Sequence, residues 1–236
     1  MCAIMELLGM TIMEWEALRL SLWVSCCAMA GSLIPGIFAA WILARFEFPG
    51  KSLLDGLVHL PLVVPPVVIG YLLLLLFGQR GIIGAWLLKN LGITIAFTWK
   101  GAAIAAAAMA FPLLVRAVRL SIEGVDRGIE DAARTLGAGP MRVFFTVTLP
   151  LITPGIITGL ILSFARSLGE FGATITFVSN IQGQTQTLPL ALYTLTQTPG
   201  GEAGAMRLCV ISVVVAMAAL VASEVMSKRF TAYIRG

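Results

Sequence analysis

Leu20-Ser-Leu-Trp-Val-Ser-Cys-Cys-Ala-Met-Ala-Gly-Ser-Leu-Ile-Pro-Gly-Ile-Phe-Ala-Ala-Trp-Ile-Leu-Ala44 is a run of 25 residues without a charge, bounded by Arg19 and Arg45. At about 1.5 Å of rise per helical residue, it is long enough to cross a hydrocarbon core about 30 Å thick. It is too long for the apolar region of a signal peptide and has no basic leader, so it reads as a span. Similar runs follow, with 24 uncharged residues between Asp55 and Arg80 and 23 between Arg142 and Arg166. Ile93 to Val115 is alanine-rich and carries only Lys100, and Leu208 to Ser227 is interrupted only by Glu224. The expected architecture is all-α and integral to the membrane, a single domain over 1–236 with five spans near 18–44, 56–78, 93–115, 148–168 and 207–227. Gly81 to Leu91 is apolar but too short to cross, and suits an interfacial or re-entrant segment.

Composition agrees with that reading. Of 236 residues, 58% are apolar and 12% charged, with a mean hydropathy of +0.95. A soluble domain carries about twice that share of charge. A soluble enzyme, a disordered tail and a nucleic-acid binder are thereby excluded. Cys2, Cys26, Cys27 and Cys209 form no disulfide framework and read as small packing residues. His59, the single histidine, has no cysteine at ligand spacing, so no metal site is expected.

The net charge of +4 informs mainly through its distribution. Nine of the 28 charged residues lie between Arg116 and Arg142. With five spans, ten basic residues fall on the side of that loop and six on the other. The positive-inside rule then predicts a cytoplasmic loop over 116–147, a cytoplasmic C-terminus and a periplasmic N-terminus. Within the loop, Ile129, Ala132, Ala133 and Leu136 make one apolar stripe at helical spacing, and Val143, Phe144 and Val147 make a second. Gly137 and Gly139 suit a helix stop, and Pro140 the first turn of the next helix. An apolar patch rimmed by charge outside the bilayer marks a partner surface. A helix start is also expected near Pro150.

These loop residues resemble a motif of the permeases of binding-protein-dependent ATP-driven importers. That family carries Glu-Ala-Ala, three residues, Gly, nine residues, Ile, one residue and Leu-Pro. Here the positions are Asp131-Ala132-Ala133, Gly137, Val147 and Leu149-Pro150, with every spacing kept. Asp131 stands for Glu and Val147 for Ile, and neighbouring Glu130 is placed to take over the polar contact of the shorter Asp131. The resemblance implies a type I permease fold whose loop docks on a separate ATPase. Phe48-Pro49-Gly50-Lys51, His59-Leu60-Pro61 through Pro65-Pro66, and Ser167 to Thr174 are further similar to the molybdate transport permeases, with tungstate and sulfate permeases sharing part of the pattern. It implies a homodimer in the bacterial inner membrane, two partner ATPases that bind the ATP and magnesium, and a periplasmic molybdate-binding protein. No cofactor is expected in this chain itself. Gly50-Lys51-Ser52 is not a phosphate loop, because Arg45 stands where the first Gly is needed.

The candidate pathway residues come from local chemistry. Pro61, Pro65 and Pro66 remove backbone hydrogen bonds at the start of the second span, which is tolerated beside protein or a water-filled cavity. Arg166 and Glu170 are spaced for a helical ion pair at the outward end of the fourth span. From Phe171 to Gly201, 31 residues carry no charge, and Thr174, Thr176, Ser179 and Asn180 offer neutral donors that would let an oxyanion bind and leave. The same stretch suits a docking loop for the binding protein. Small residues recur every fourth position at Gly155, Gly159 and Ser163 and at Ala102, Ala106 and Ala110, fitting close packing inside one subunit or between two. An ion-driven secondary transporter would need mid-bilayer ionisable groups and inverted repeats, and an intramembrane enzyme a paired nucleophile and base. Neither pattern is visible.

Overall fold

The computed structural model describes residues 10–235, and among these the chain is helical with no strand. Helix α1 (Ile12–Arg45) is followed by α2 (Lys51–Val63), α3 (Pro66–Phe77), α4 (Ile82–Leu91) and α5 (Trp99–Glu123). Then come α6 (Arg127–Thr135), α7 (Pro140–Leu168), α8 (Gly172–Val178), α9 (Leu188–Thr196) and α10 (Glu202–Arg235). Among the described residues, four helices are long and apolar enough to cross a membrane, and α2 with α3 makes a fifth span if the bent pair counts as one. The chain is an all-α, multi-pass membrane protein. Cys2 lies outside the described residues; Cys26 and Cys209 are exposed and Cys27 half-buried, so the first two do not serve the interior.

α5 is the axis of the molecule. Ala102, Ala105, Ala106 and Ala110 are at most 1% exposed, and their small side chains let α1, α7 and α8 approach its backbone. In lipid such contact is driven by van der Waals packing, since hydrocarbon solvates a leucine as well as a protein does. Gly155 faces Ser121, and Gly159 faces Leu114 and Ala117. The small-residue stripes on both helices therefore pack within the one chain.

Helix ends depart from the charge-bounded expectation for a physical reason. α1 starts at Ile12, not near 18, because Glu14 completes a capping box: its Oε2 accepts from the Thr11 N–H at 2.7 Å. The same carboxylate is 1% exposed and pairs with Arg207 at 3.0 Å, which lets α10 begin at Glu202. A charge cancelled by a neighbouring helix no longer terminates a helix.

α2 and α3 do not form the kinked single helix expected over 56–78. The axis turns by 115° between Val63 and Pro66. A residue before proline is driven from the helical region into extended geometry. Pro65 and Pro66 in tandem therefore extend both Val64 (ψ 140°) and Pro65 (ψ 134°), and Pro66 restarts the helix at its first position. Pro61 lies inside α2. α4 has 10 residues, about 15 Å, too short to cross.

α7 corrects the expected start near Pro150. The helix begins at Pro140 and runs through a π-turn at Phe144–Thr148. Pro150 has no N–H for the carbonyl four residues back, and its ring crowds that carbonyl. The wider turn relieves this, with the Leu149 N–H donating to the Phe144 carbonyl. The second amphipathic helix of the loop is thus the first turns of a span.

Candidate functional site: a coupling segment and a crossing of two broken spans

The segment from Gly124 to Thr148 caps one end of the bundle. Asp126 starts α6 by accepting from the Gly128 N–H at 2.8 Å. Gly137, with φ of +85°, ends it in the left-handed region, where a side chain costs about 1 kcal/mol or more. The polar contact falls to Glu130. Its carboxylate is 6% exposed, and Oε1 accepts from Arg45 Nη2 at 2.7 Å and from the Thr148 hydroxyl at 2.7 Å. Asp131 is instead exposed and pairs along the helix with Arg134.

Glu130 thus ties α6 to the end of α1 and to the π-turn of α7. The Arg45 guanidinium also lies 5.4 Å over the Trp41 ring, which meets Phe144 edge-on at 5.1 Å. Beyond this anchor, Leu136 is 88% exposed, and Met141, Phe145 and Ile129 are exposed as well. Ala132 and Ala133 are exposed and half-buried on the same helix, while Leu149 and Pro150 sit half-buried and exposed just past the π-turn. The result is an apolar surface on a rigid, ion-paired mount. Lys51 donates to Glu47 at 2.6 Å, as a flanking charge does.

The second region lies within the bundle. α7 stops at Leu168, with the Ser167 hydroxyl near the Ala106 carbonyl (3.4 Å), well inside the length of α5. The chain turns at Gly169–Phe171 and resumes as α8, whose Phe177 and Val178 reach Gly101. The Arg166–Glu170 pair (2.7 Å) therefore sits at this interior break, not at the outward end of the span. Glu170 is 2% exposed on its side chain, and its Oε1 also accepts from the Ala173 N–H at 2.8 Å, capping α8. One carboxylate holds the end of one helix and the start of the next. Glu170→Ala should cost about 2–3 kcal/mol, the scale of a buried hydrogen bond to a charged group, read as a lowered Tm of the purified protein. A Tm indistinguishable from wild type would refute that role.

The two breaks meet. Pro66 packs on Gly172, and at Gly70 a Cβ would lie 2.6 Å from the Ala173 carbonyl oxygen. α3 and α8 thus touch backbone to backbone. Pro65 is exposed beside the crossing and Pro61 half-buried. Thr174 is buried in the crossing, and Thr176 bonds its hydroxyl to the Gly172 carbonyl at 2.9 Å.

Further along, the neutral donors largely satisfy one another. Asn180 donates to Thr194 at 2.8 Å, Gln186 to Asn180 at 3.0 Å, and the Thr185 hydroxyl to the Ser179 carbonyl at 3.2 Å. The Ser21 hydroxyl accepts from the Leu188 N–H at 2.6 Å. This network orders the 179–187 loop, leaving Ser179 exposed with φ of +64°. Arg45, Thr148 and Gly70 carry no local sequence signal, because their partners lie 85, 18 and about 100 positions away.

Paired broken spans in a helical bundle, with an ion-paired segment exposing apolar side chains at one end, fit a membrane transport subunit. The chain belongs to the family described as "Binding-protein-dependent transport system inner membrane component", which matches residues 34–230. Among its relatives, the molybdenum transport system permease protein ModB of Escherichia coli (strain K12) is 65% identical over 211 residues, covering 89% of this chain and 92% of that one. ModB of Haemophilus influenzae is 57% identical over 217 residues, covering 92% and 95%. The fold is shared with a chain of a bacterial alginate ABC transporter in complex with its alginate pentasaccharide-bound periplasmic protein. The TM-score is 0.74 at 17% identity, over 95% of this chain and 81% of that one. The two ModB relatives are transport permeases by name, and the chain is a transport subunit rather than an enzyme.

Proposed function

We propose that this chain is the membrane-spanning subunit of an ATP-driven importer of molybdate in the bacterial inner membrane, working as a homodimer with the path between the two copies. The observation that carries the coupling is Leu136, 88% exposed at the C-terminal cap of a helix that Glu130 pins to both α1 and α7. An exposed leucine on a rigid mount fits a groove of a partner, and movement of that partner reaches two spans at once. The relatives named for molybdenum transport supply the substrate. ATP and magnesium are held by two partner ATPases on the cytoplasmic side, which is also the side of α6 and the C-terminus. A periplasmic binding protein delivers the anion to the opposite end, where the N-terminus lies. Asp131, Ala132, Ala133, Gly137, Leu149 and Pro150 form the docking segment with Glu130. Pro61, Pro65, Pro66, Arg166, Glu170, Thr174, Thr176, Ser179 and Asn180 belong to the pathway and its gate, with Arg166 and Glu170 holding its shape.

The test is a complex of this chain with its ATPase in vesicles. Molybdate-loaded binding protein should stimulate hydrolysis, and uptake should stop on ATP depletion yet survive dissipation of the ion gradients. Uptake that follows the gradients instead would overturn the proposal. Leu136→Asp should weaken ATPase binding at least tenfold, since about 1.4 kcal/mol, less than a buried leucine contributes, is tenfold in affinity. Unchanged co-purification of the ATPase would remove Leu136 from the interface.

A further inference from the structure

Arg116 stands apart from every other feature of α5. It lies 17 residues after Trp99 and seven before Glu123, about 10 Å from the end of the helix that adjoins α6. Its neighbours at the same level are apolar: Leu114, Val115 and Val118 are fully buried, and Gly36 of α1 packs on Leu114. Yet Arg116 is exposed, and among the described residues it has neither an ion-pair nor a hydrogen-bond partner.

The acids that might have neutralised it are already engaged. One turn further, Arg119 donates from Nε to Glu123 at 2.8 Å and from Nη1 to Asp55 of α2 at 3.1 Å. His59 Nδ1 lies 3.1 Å from the same Asp55 carboxylate and 2.9 Å from its backbone oxygen. Asp55 and Glu123 thus both bond to Arg119, and neither pairs with the Arg116 guanidinium. Two grooves open on this residue. One, of about 510 Å³, runs between α5 and α7 past Leu113, Ala117, Pro154 and Thr158. The other, of about 340 Å³, runs to Asp55, His59 and Glu123. Arg116 lines both.

The sequence places Arg116 at the start of the loop, but α5 continues to Glu123 and carries it within the helix. A charge set inside a span is costly unless it faces water or an opposite charge, and such residues mark ion pathways. We propose that Arg116 is a contact for the transported tetrahedral oxyanion in the half of the pathway nearer the ATPases. This deepens the import function proposed above and rests on it. The planar guanidinium presents two parallel N–H donors that match two oxygens of such a dianion. Two copies of the chain would bring two such cations to one dianion. In the groove between α5 and α7 the walls of alanine, leucine and proline add no further charge, so the anion is attracted there without being trapped. A phosphate of a lipid headgroup offers the same chemistry, and the assay separates the two.

The experiment uses the whole importer with its ATPase and binding protein in vesicles. In Arg116→Gln, molybdate uptake should fall about tenfold or more, the scale of a lost charge-assisted hydrogen bond. Hydrolysis stimulated by loaded binding protein should stay within about twofold of wild type, because α6 and its anchor are untouched. Arg116→Lys should recover part of the uptake. In a background with the four native cysteines replaced by alanine, Arg116→Cys should react with a membrane-impermeant anionic thiol reagent in the nucleotide-free complex. Native uptake in Arg116→Gln, or an introduced thiol that labels only with a lipid-soluble reagent, assigns Arg116 to lipid and overturns the proposal. Absence of molybdate uptake by the wild-type complex would instead refute the substrate reading itself.

Discussion

Glu130→Ala should be among the most damaging single changes outside the span interiors. It strands the Arg45 guanidinium, 12% exposed, and removes the acceptor of the buried Thr148 hydroxyl. Breaking one side of a buried ion pair costs about 3–5 kcal/mol, because the remaining charge keeps its desolvation penalty and loses its compensation. The Tm of the purified protein should fall, and in the assembled importer ATP hydrolysis should continue with little uptake, since α6 would no longer pull on α1 and α7. Combining it with Arg45→Met should recover stability, since the stranded charge is gone, without recovering transport. A Glu130→Ala importer with native Tm and native uptake per ATP would refute the linkage.

Gly70→Leu should be comparably severe for a different reason. A Cβ at residue 70 would sit 2.6 Å from the Ala173 oxygen and 2.9 Å from its Cα, and backbone cannot turn aside as a side chain can. Separating α3 from α8 opens the crossing of the two broken spans. Overpacking of this kind costs about 1–3 kcal/mol, and a leucine against backbone belongs at the upper end. Gly31→Leu is the matched control, since nothing lies within 4 Å of a Cβ there. Both variants should be compared by Tm and by uptake in vesicles. Equal tolerance of the two would show that the α3–α8 contact is not needed.

Much of the molecule is legible without coordinates. The charge-free runs locate the spans because lipid admits few charges. The Asp131-Ala132-Ala133…Gly137 spacing places a short helix and its stop because only a residue tolerant of positive φ ends it cheaply. Pro65-Pro66 marks a bend, though its size, 115°, depends on what α3 packs against. The displaced helix ends have particular causes. Glu14 and Arg207 cancel each other across 193 positions, a pairing that local pattern does not reveal. The start expected near Pro150 is displaced because a π-turn absorbs the proline, which spacing alone does not disclose.

Residue order alone is enough to make this a membrane-embedded helical chain, with a charged loop that carries an apolar stripe and a long uncharged stretch elsewhere. Those conclusions follow from hydration energies and backbone preferences, which act residue by residue. Three others needed the packed helices: that Glu130 rather than Asp131 anchors the loop, that the Arg166–Glu170 pair lies inside the bundle, and that Arg116 is left without a partner. The second depends on where α7 ends against α5. The first and third depend on which charges helices distant in sequence bring within about 3 Å of one another, and pairing at that range is what separates a structural charge from a functional one.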